Sequence, residues 1–145
     1  MGKLSFMFNI RVYGIFVFNH RLLLSKEYFQ NTNITKFPGG GLKYGEGILD
    51  CLIREVKEEL GQELLNPKHF YTCDFFQASA FHSNQQIISI YYTAQLPHPD
   101  QIKLNESTEE TGAKIESVEW KLLERISKSE FTFPIDQEVF SMLTG

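Results

Sequence analysis

The sequence predicts an α/β fold, with a mixed β-sheet and helices on both of its faces. Three observations carry that prediction. β-prone runs and amphipathic segments follow one another in the order ββ-α-ββ-β-α. One segment, Gly47 to Leu60, repeats its apolar residues with helical period and ends in glycine. The chain also carries 13 Phe and 6 Tyr, more than a helical core of this length calls for and in keeping with a sheet.

The elements follow in order. Residues 10–18 (IRVYGIFVF) are almost continuously apolar, as a buried strand requires. Asn19-His20 is a two-residue turn, and Arg21 to Glu27 is the returning strand of a hairpin. Residues 28–36 (YFQNTNITK) are expected to form a polar loop, from which Tyr28 and Phe29 either stack on a ligand base or pack on the core edge. Phe37-Pro38 imposes an extended entry into Gly39, Gly40 and Gly41, where the backbone can be approached closely. Asn66-Pro67 reads as a loop. Residues 69–81 and 86–96 are expected to pair as a long second hairpin about Ser83-Asn84-Gln85. Residues 100–114 are polar and acidic, 115–121 form a strand, 122–126 a helical turn, and 135–143 a C-terminal helix behind Pro134.

The central helix breaks local rules. At about 100° per residue, Leu49, Leu52, Ile53, Val56 and Leu60 form one apolar stripe, and Glu55, Glu58 and Glu59 form a second stripe beside it. Like charges at these spacings cost roughly 0.2–0.5 kcal/mol each. Anions in the last turn oppose the macrodipole at a further cost of about 0.3–1 kcal/mol each. The stripe is expected to face solvent, or to gather oxygen ligands for a hard cation such as Mg²⁺.

The spacing separates those alternatives. Gly40, Glu46, Arg54, Glu55, Glu58, Glu59 and Gly61 stand at every fixed position of the Nudix box, here residues 40–62, and the chain therefore resembles the Nudix hydrolases. A chance match somewhere in the chain is on the order of 10⁻⁶. Gln62 departs from the aliphatic residue usual there, at a position expected to pack rather than react. The flanking strand pattern and Glu119-Trp120 are also similar to the family. The resemblance implies an α/β/α sandwich spanning residues 1–145 as one domain. It also implies Mg²⁺-dependent hydrolysis of a nucleoside diphosphate linked to another moiety, with Mn²⁺ as an alternative ion. Glu55, Glu58, Glu59 and the carbonyl of Gly40 would hold the metal, and Arg54 would orient Glu55. Gly39, Glu46 and Gly61 would support the loop-helix-loop. Some relatives take a further glutamate from a later loop as base or ligand, and the candidates here are Glu106, Glu109 and Glu110. Residues 77–81 lack the Pro or Tyr that marks the ADP-ribose and dinucleoside-polyphosphate branches, and the coenzyme A signature is missing too. The alternative function is a ligand-sensing module of the same fold that binds a nucleotide derivative without turning it over. The intact carboxylates argue against it.

Composition sets bounds on partners. The net charge of −4 and the lack of a basic run argue against a nucleic-acid partner. An acidic protein that handles phosphates needs a cation to mediate. Cys51 and Cys73 form no disulfide framework or zinc motif, which favours a reducing, cytoplasmic setting. His20, His69, His82 and His98 lack ligand spacing, no signal peptide is evident, and no apolar stretch is long enough for a membrane. The family resemblance and the aromatic content together suggest a homodimer.

Overall fold

The computed structural model describes residues 5–102 and 114–145, with the side chains of 114–116 left aside. Strand β1 (Met7–Phe18) is the axis of a seven-stranded sheet. It runs parallel to β6 (Gln85–Gln95) on one side. On the other side it pairs antiparallel first with β4 (Gly39–Gly41) and then with β2 (Arg21–Phe29). β5 (Leu65–Thr72) borders β6, while β3 (Thr32–Lys36) and β7 (Lys114–Leu122) both pair with β2. Helix α1 (Ile48–Leu60) covers one face, and α2 (Pro134–Thr144) the other.

Alternation along β1 divides the core. Val12 and Phe16 join Leu52, Val56 and Leu60 beneath α1. Tyr13 and Ile15 join Phe131, Ile135, Val139 and Phe140 on the α2 side. The continuous apolar run is thus a strand buried on both faces. Phe37 stacks on Phe131 at 4.9 Å and meets Tyr91 edge-on at 5.6 Å, which ties the segments just after β3 and just before α2 to β6.

Four expectations change. Residues 28–36 are not a loop: β2 continues to Phe29, and Gln30 and Asn31, both at positive φ, turn the chain into β3. Asn19-His20 has the same primed geometry, but Gln-Asn lacks the glycine that usually announces it. Asn66-Pro67 lies inside β5, at a register shift on an edge strand, where proline removes no needed donor. The second hairpin is shorter than expected. Past Thr72 the pairing with β6 thins to the Cys73 N–H on Ser89 O and the bridge Ala78↔Gln86, and Phe75 and Phe76 stay exposed.

The fourth change concerns α1. Leu49 and Ile53 are exposed, while the buried arc comprises Cys51, Leu52, Glu55, Val56, Glu59 and Leu60. The helix is rotated so that part of the acidic stripe faces inward. Asp50 accepts from the Gly47 N–H at its start, and Gly61 ends it with an N–H to Lys57 O.

Gln62 is more than packing. It is buried, its carbonyl accepts from His98 N at 2.9 Å, and its amide donates to His98 O at 2.7 Å and to Gln101 O at 3.3 Å. Trp120 Nε1 donates to Pro99 O in the same turn. Replacing Gln62 by Leu restores the aliphatic type but strands His98 N–H and Gln101 O, while His98 O keeps Gln101 N–H as a donor. The expected cost is about 1–3 kcal/mol in urea unfolding. An unchanged midpoint would show that water replaces the clamp freely.

Candidate active site

The site grows from the Phe37-Pro38-Gly39-Gly40 segment. Gly39 has φ +144°, and a Cβ there would stand 2.1 Å from Val12 O, so only glycine fits. A Cβ on Gly40 would meet the Glu55 carboxyl at 2.7 Å. The two glycines therefore let α1 lay its carboxylates directly against β4. Glu59 is 3% exposed and accepts from Gly39 N at 3.1 Å. Glu55 is 8% exposed, whereas the Glu58 side chain is 45% exposed.

Arg54 organises this wall. Nε and Nη2 grip both oxygens of Glu46 at 2.6 and 2.9 Å, and Nη2 also reaches Gly41 O at 3.0 Å. Nη1 binds Glu55 at 2.8 Å and Glu58 at 3.2 Å. Glu46 precedes the helix and is anchored by Lys43 N. The hydrogen bonds from Arg54 hold the Glu46 carboxyl at about 2, far below the usual range. Cys51, one turn from Glu55, is fully buried, and burial pushes its thiol up to about 11, which suits a packing residue.

A buried cation stands behind the wall. Lys36 is 2% exposed and donates to Phe37 O and Gly39 O at 3.2 and 3.1 Å, with Glu27 at 3.3 Å. Burial alone would discharge it, but Glu27 and Glu59 keep it protonated and raise its pKa. Burial likewise raises Glu59 well above the carboxylate range; Lys36 opposes this, while Glu55 and Glu27 add to it. The stripe is thus compensated by tertiary partners that lie outside the helix.

These groups line one end of a cleft of about 1270 Å³. Its walls include Phe29, Phe81 and Phe133, with Phe29 edge-on to Phe81 at 4.9 Å. Tyr28 lies outside the cleft lining, 40% exposed, with its hydroxyl on Asn31. Alternation along β2 sends it to the opposite face from Phe29. Glu106, Glu109 and Glu110 lie outside the described residues.

The donor set fits a hard divalent cation, being all oxygen and closely approached by a glycine backbone. Glu55, Glu58, Glu59 and Gly40 O are the groups that could hold one. Among the described residues no three His, Cys, Asp or Glu side chains form a ready metal cage. An ion here would therefore share its coordination with water and substrate oxygens, as Mg²⁺ commonly does.

Arg11, Glu27, Lys36 and Asp136 also face the cleft, although the motif points to none of them. Arg11 was visible as the lone charge in an apolar run. Asp136, in the first turn of α2, is 2% exposed. Its Oδ1 accepts from the Tyr91 hydroxyl, and among the described residues Oδ2 has no partner. Burial raises its pKa from 3.8 to about 6, against the opposing effects of Tyr91, Lys36 and Arg11. The folded state thus binds this proton more tightly than the unfolded chain. Stability from this group is full below pH 4, falls as pH rises towards 6, and stays low above it. Asp136→Asn is expected to gain about 1–3 kcal/mol at pH 7.5 and almost nothing below pH 4. Urea unfolding across that range checks this; a pH-independent difference between the proteins would contradict it.

The comparisons agree with this fold. The chain resembles a NUDIX hydrolase from Nitrosomonas europaea at 20% identity and TM-score 0.73, over 94% of this chain and 88% of that one. It resembles the E. coli ORF135 protein at 18% identity and TM-score 0.67, over 97% and 93%. A structure titled as an ADP compounds hydrolase matches at 15% identity and TM-score 0.65, over 94% and 71%. Curated protein sequences give no match. The NUDIX domain family model covers residues 8–142, and with that span matched the chain belongs to the Nudix family.

Proposed function

We propose that the protein is a Mg²⁺-dependent pyrophosphohydrolase, acting on a nucleoside diphosphate linked to another moiety. The observation that carries this reading is the inward carboxylate wall. Glu55 and Glu59 are buried against Gly39 and Gly40, and Arg54 binds Glu46, Glu55 and Glu58 at once. A divalent ion held there by Glu55, Glu58, Glu59 and Gly40 O would neutralise phosphate charge and make a bound water acidic. Arg54 orients Glu55 and Glu58, with Glu46 as its own anchor. Lys36 holds Gly39 O, and with it the strand edge that carries Gly40. The aromatic wall of Phe29, Phe81 and Phe133 would take the nucleoside, and a cleft this large suits a nucleotide. Cys51 and Cys73 are both free, in keeping with a reducing, cytoplasmic setting. A single domain over 1–145 belongs to the same reading.

The test couples a substrate panel with one variant. Nucleoside triphosphates, nucleotide sugars, dinucleotides and coenzyme A are assayed with Mg²⁺, with Mn²⁺ and with EDTA. At least one should be cleaved in a metal-dependent way. Glu59→Gln relieves the repulsion from Glu55 and Glu27 and keeps an oxygen for the Gly39 N–H, while Glu27 still faces Lys36, so in EDTA it should melt at or above the parent. It should lose most of the stabilising shift given by Mg²⁺, and turnover should fall by about 100-fold or more. Nucleotide binding without turnover by the parent would favour the sensing module. A variant that melts far below the parent in EDTA would assign Glu59 a structural role instead.

A homodimer forms a second part of the proposal. Ile48, Leu49 and Ile53 leave an exposed apolar strip on α1, away from the cleft. Sedimentation at micromolar concentration should show a dimer; a monomer throughout removes the claim.

A further inference from the structure

We propose that Arg11 is a substrate-binding residue whose open guanidinium fork takes non-bridging phosphate oxygens beside the carboxylate wall. The inference rests on the hydrolase reading and adds to it a residue that lies outside the motif.

Its position comes from the sheet. Asn9, Arg11 and Tyr13 alternate into the cleft along β1. Arg11 stands opposite Gly41 of β4 and Ser89 of β6. Small residues therefore flank it on both sides. A Cβ on Gly41 would lie in contact with Arg11 Nη1 at 3.6 Å, so a branched side chain there would crowd the fork.

Donor accounting separates Arg11 from its neighbours. Lys36 spends its donors on Phe37 O, Gly39 O and Glu27, and Arg54 spends its own on Glu46, Glu55, Glu58 and Gly41 O. Arg11 Nε donates to Tyr13 Oη at 2.6 Å, and the guanidinium lies 5.7 Å from the centre of that ring. Among the described residues, Nη1 and Nη2 make no hydrogen bond, and no carboxylate is within ion-pair distance of Arg11. A merely structural counter-charge would pair directly with Glu55 or Glu27. Here a phenol aims the cation and leaves its fork unspent, which is preorganisation for an incoming anion. Gly41 adjoins Gly40, so the fork faces the end of the cleft where the diphosphate would lie. Two parallel N–H donors match two phosphate oxygens.

The probe is methylenediphosphonate, which keeps the oxygens of a diphosphate and cannot be hydrolysed. It is titrated calorimetrically with Mg²⁺ into the parent, Arg11→Met, Arg11→Lys and Gly41→Val, with Mg²⁺ alone titrated separately. Arg11→Met should weaken diphosphonate binding by about 10-fold or more while leaving Mg²⁺ affinity equal or tighter. Arg11→Lys should fall between the two, since it keeps charge without the fork. Gly41→Val keeps the arginine but crowds it, and should also weaken the probe. On any panel substrate that is cleaved, kcat/KM should fall with probe affinity. Parent-like probe binding in both Arg11→Met and Gly41→Val overturns the proposal, even if Arg11→Met melts lower. Should Arg11→Met fail to fold, parent-like binding in Gly41→Val alone overturns it. A parent that does not bind the probe overturns it as well. A parent that binds through Arg11 yet cleaves nothing sinks the hydrolase reading and leaves the binding role standing.

Discussion

Glu55 and Glu59 sit under a strand rather than in water, and the architecture around them answers the cost of that burial. Taking a carboxylate out of solvent costs several kcal/mol unless charge and hydrogen bonds replace the lost water. Gly39 N–H serves Glu59, Arg54 serves Glu55, and Lys36 lies behind both as a buried cation. Each partner needs support of its own. Arg54 is held by Glu46 ahead of the helix, and Lys36 by Glu27 and two carbonyls of the segment that packs on Glu59. The result is a closed circuit of charges in which loop, helix and strand are mutually dependent. That circuit still leaves Glu59 with a raised pKa, because burial, helped by Glu55 and Glu27, outweighs Lys36 and the Gly39 N–H.

The cleft is divided by what its polar groups still have to offer. At the α1 end, Arg54 and Lys36 are saturated by protein partners, so they shape the site without being free to bind. Arg11 and Asp136 differ: each makes one good hydrogen bond to a tyrosine and keeps other atoms unspent. Tyr13 and Tyr91 stand side by side, rings 5.4 Å apart, on paired residues of β1 and β6. They form a floor that aims one cation and one carboxylate into the same space. Between that floor and the phenylalanine wall, the cleft offers charge recognition at one end and apolar contact at the other.

Much of this was legible along the chain. The helix, its glycine stop, the hairpin at Asn19-His20 and the C-terminal helix all rest on local signals. So does the motif, because its residues lie within one helix and the loop before it. The errors have equally local causes. Thr32 to Lys36 looked like loop because Gln30-Asn31 does not advertise a tight turn, and Asn66-Pro67 looked like a break because an edge strand can tolerate proline silently. Phe75 and Phe76 suggested a continuing strand, but aromatic content cannot say whether a partner strand is within reach.

The sequence by itself determined which residues could carry the chemistry, since type and spacing on one helix are local properties. It also determined that sheet and helices alternate, through hydrophobic period. Only the tertiary structure decided which way the helix turned. Leu49 and Ile53 have the apolarity for burial, yet glycines on β4 offered room to Glu55 and Glu59 instead. It also decided that Arg11, Lys36, Glu27 and Asp136 share one cleft, although they come from four elements. No period in the chain encodes that meeting. It arises because β1 lies between β4 and β6, with α2 closing the far end, and contacts across such sequence distances exist only once the sheet has formed.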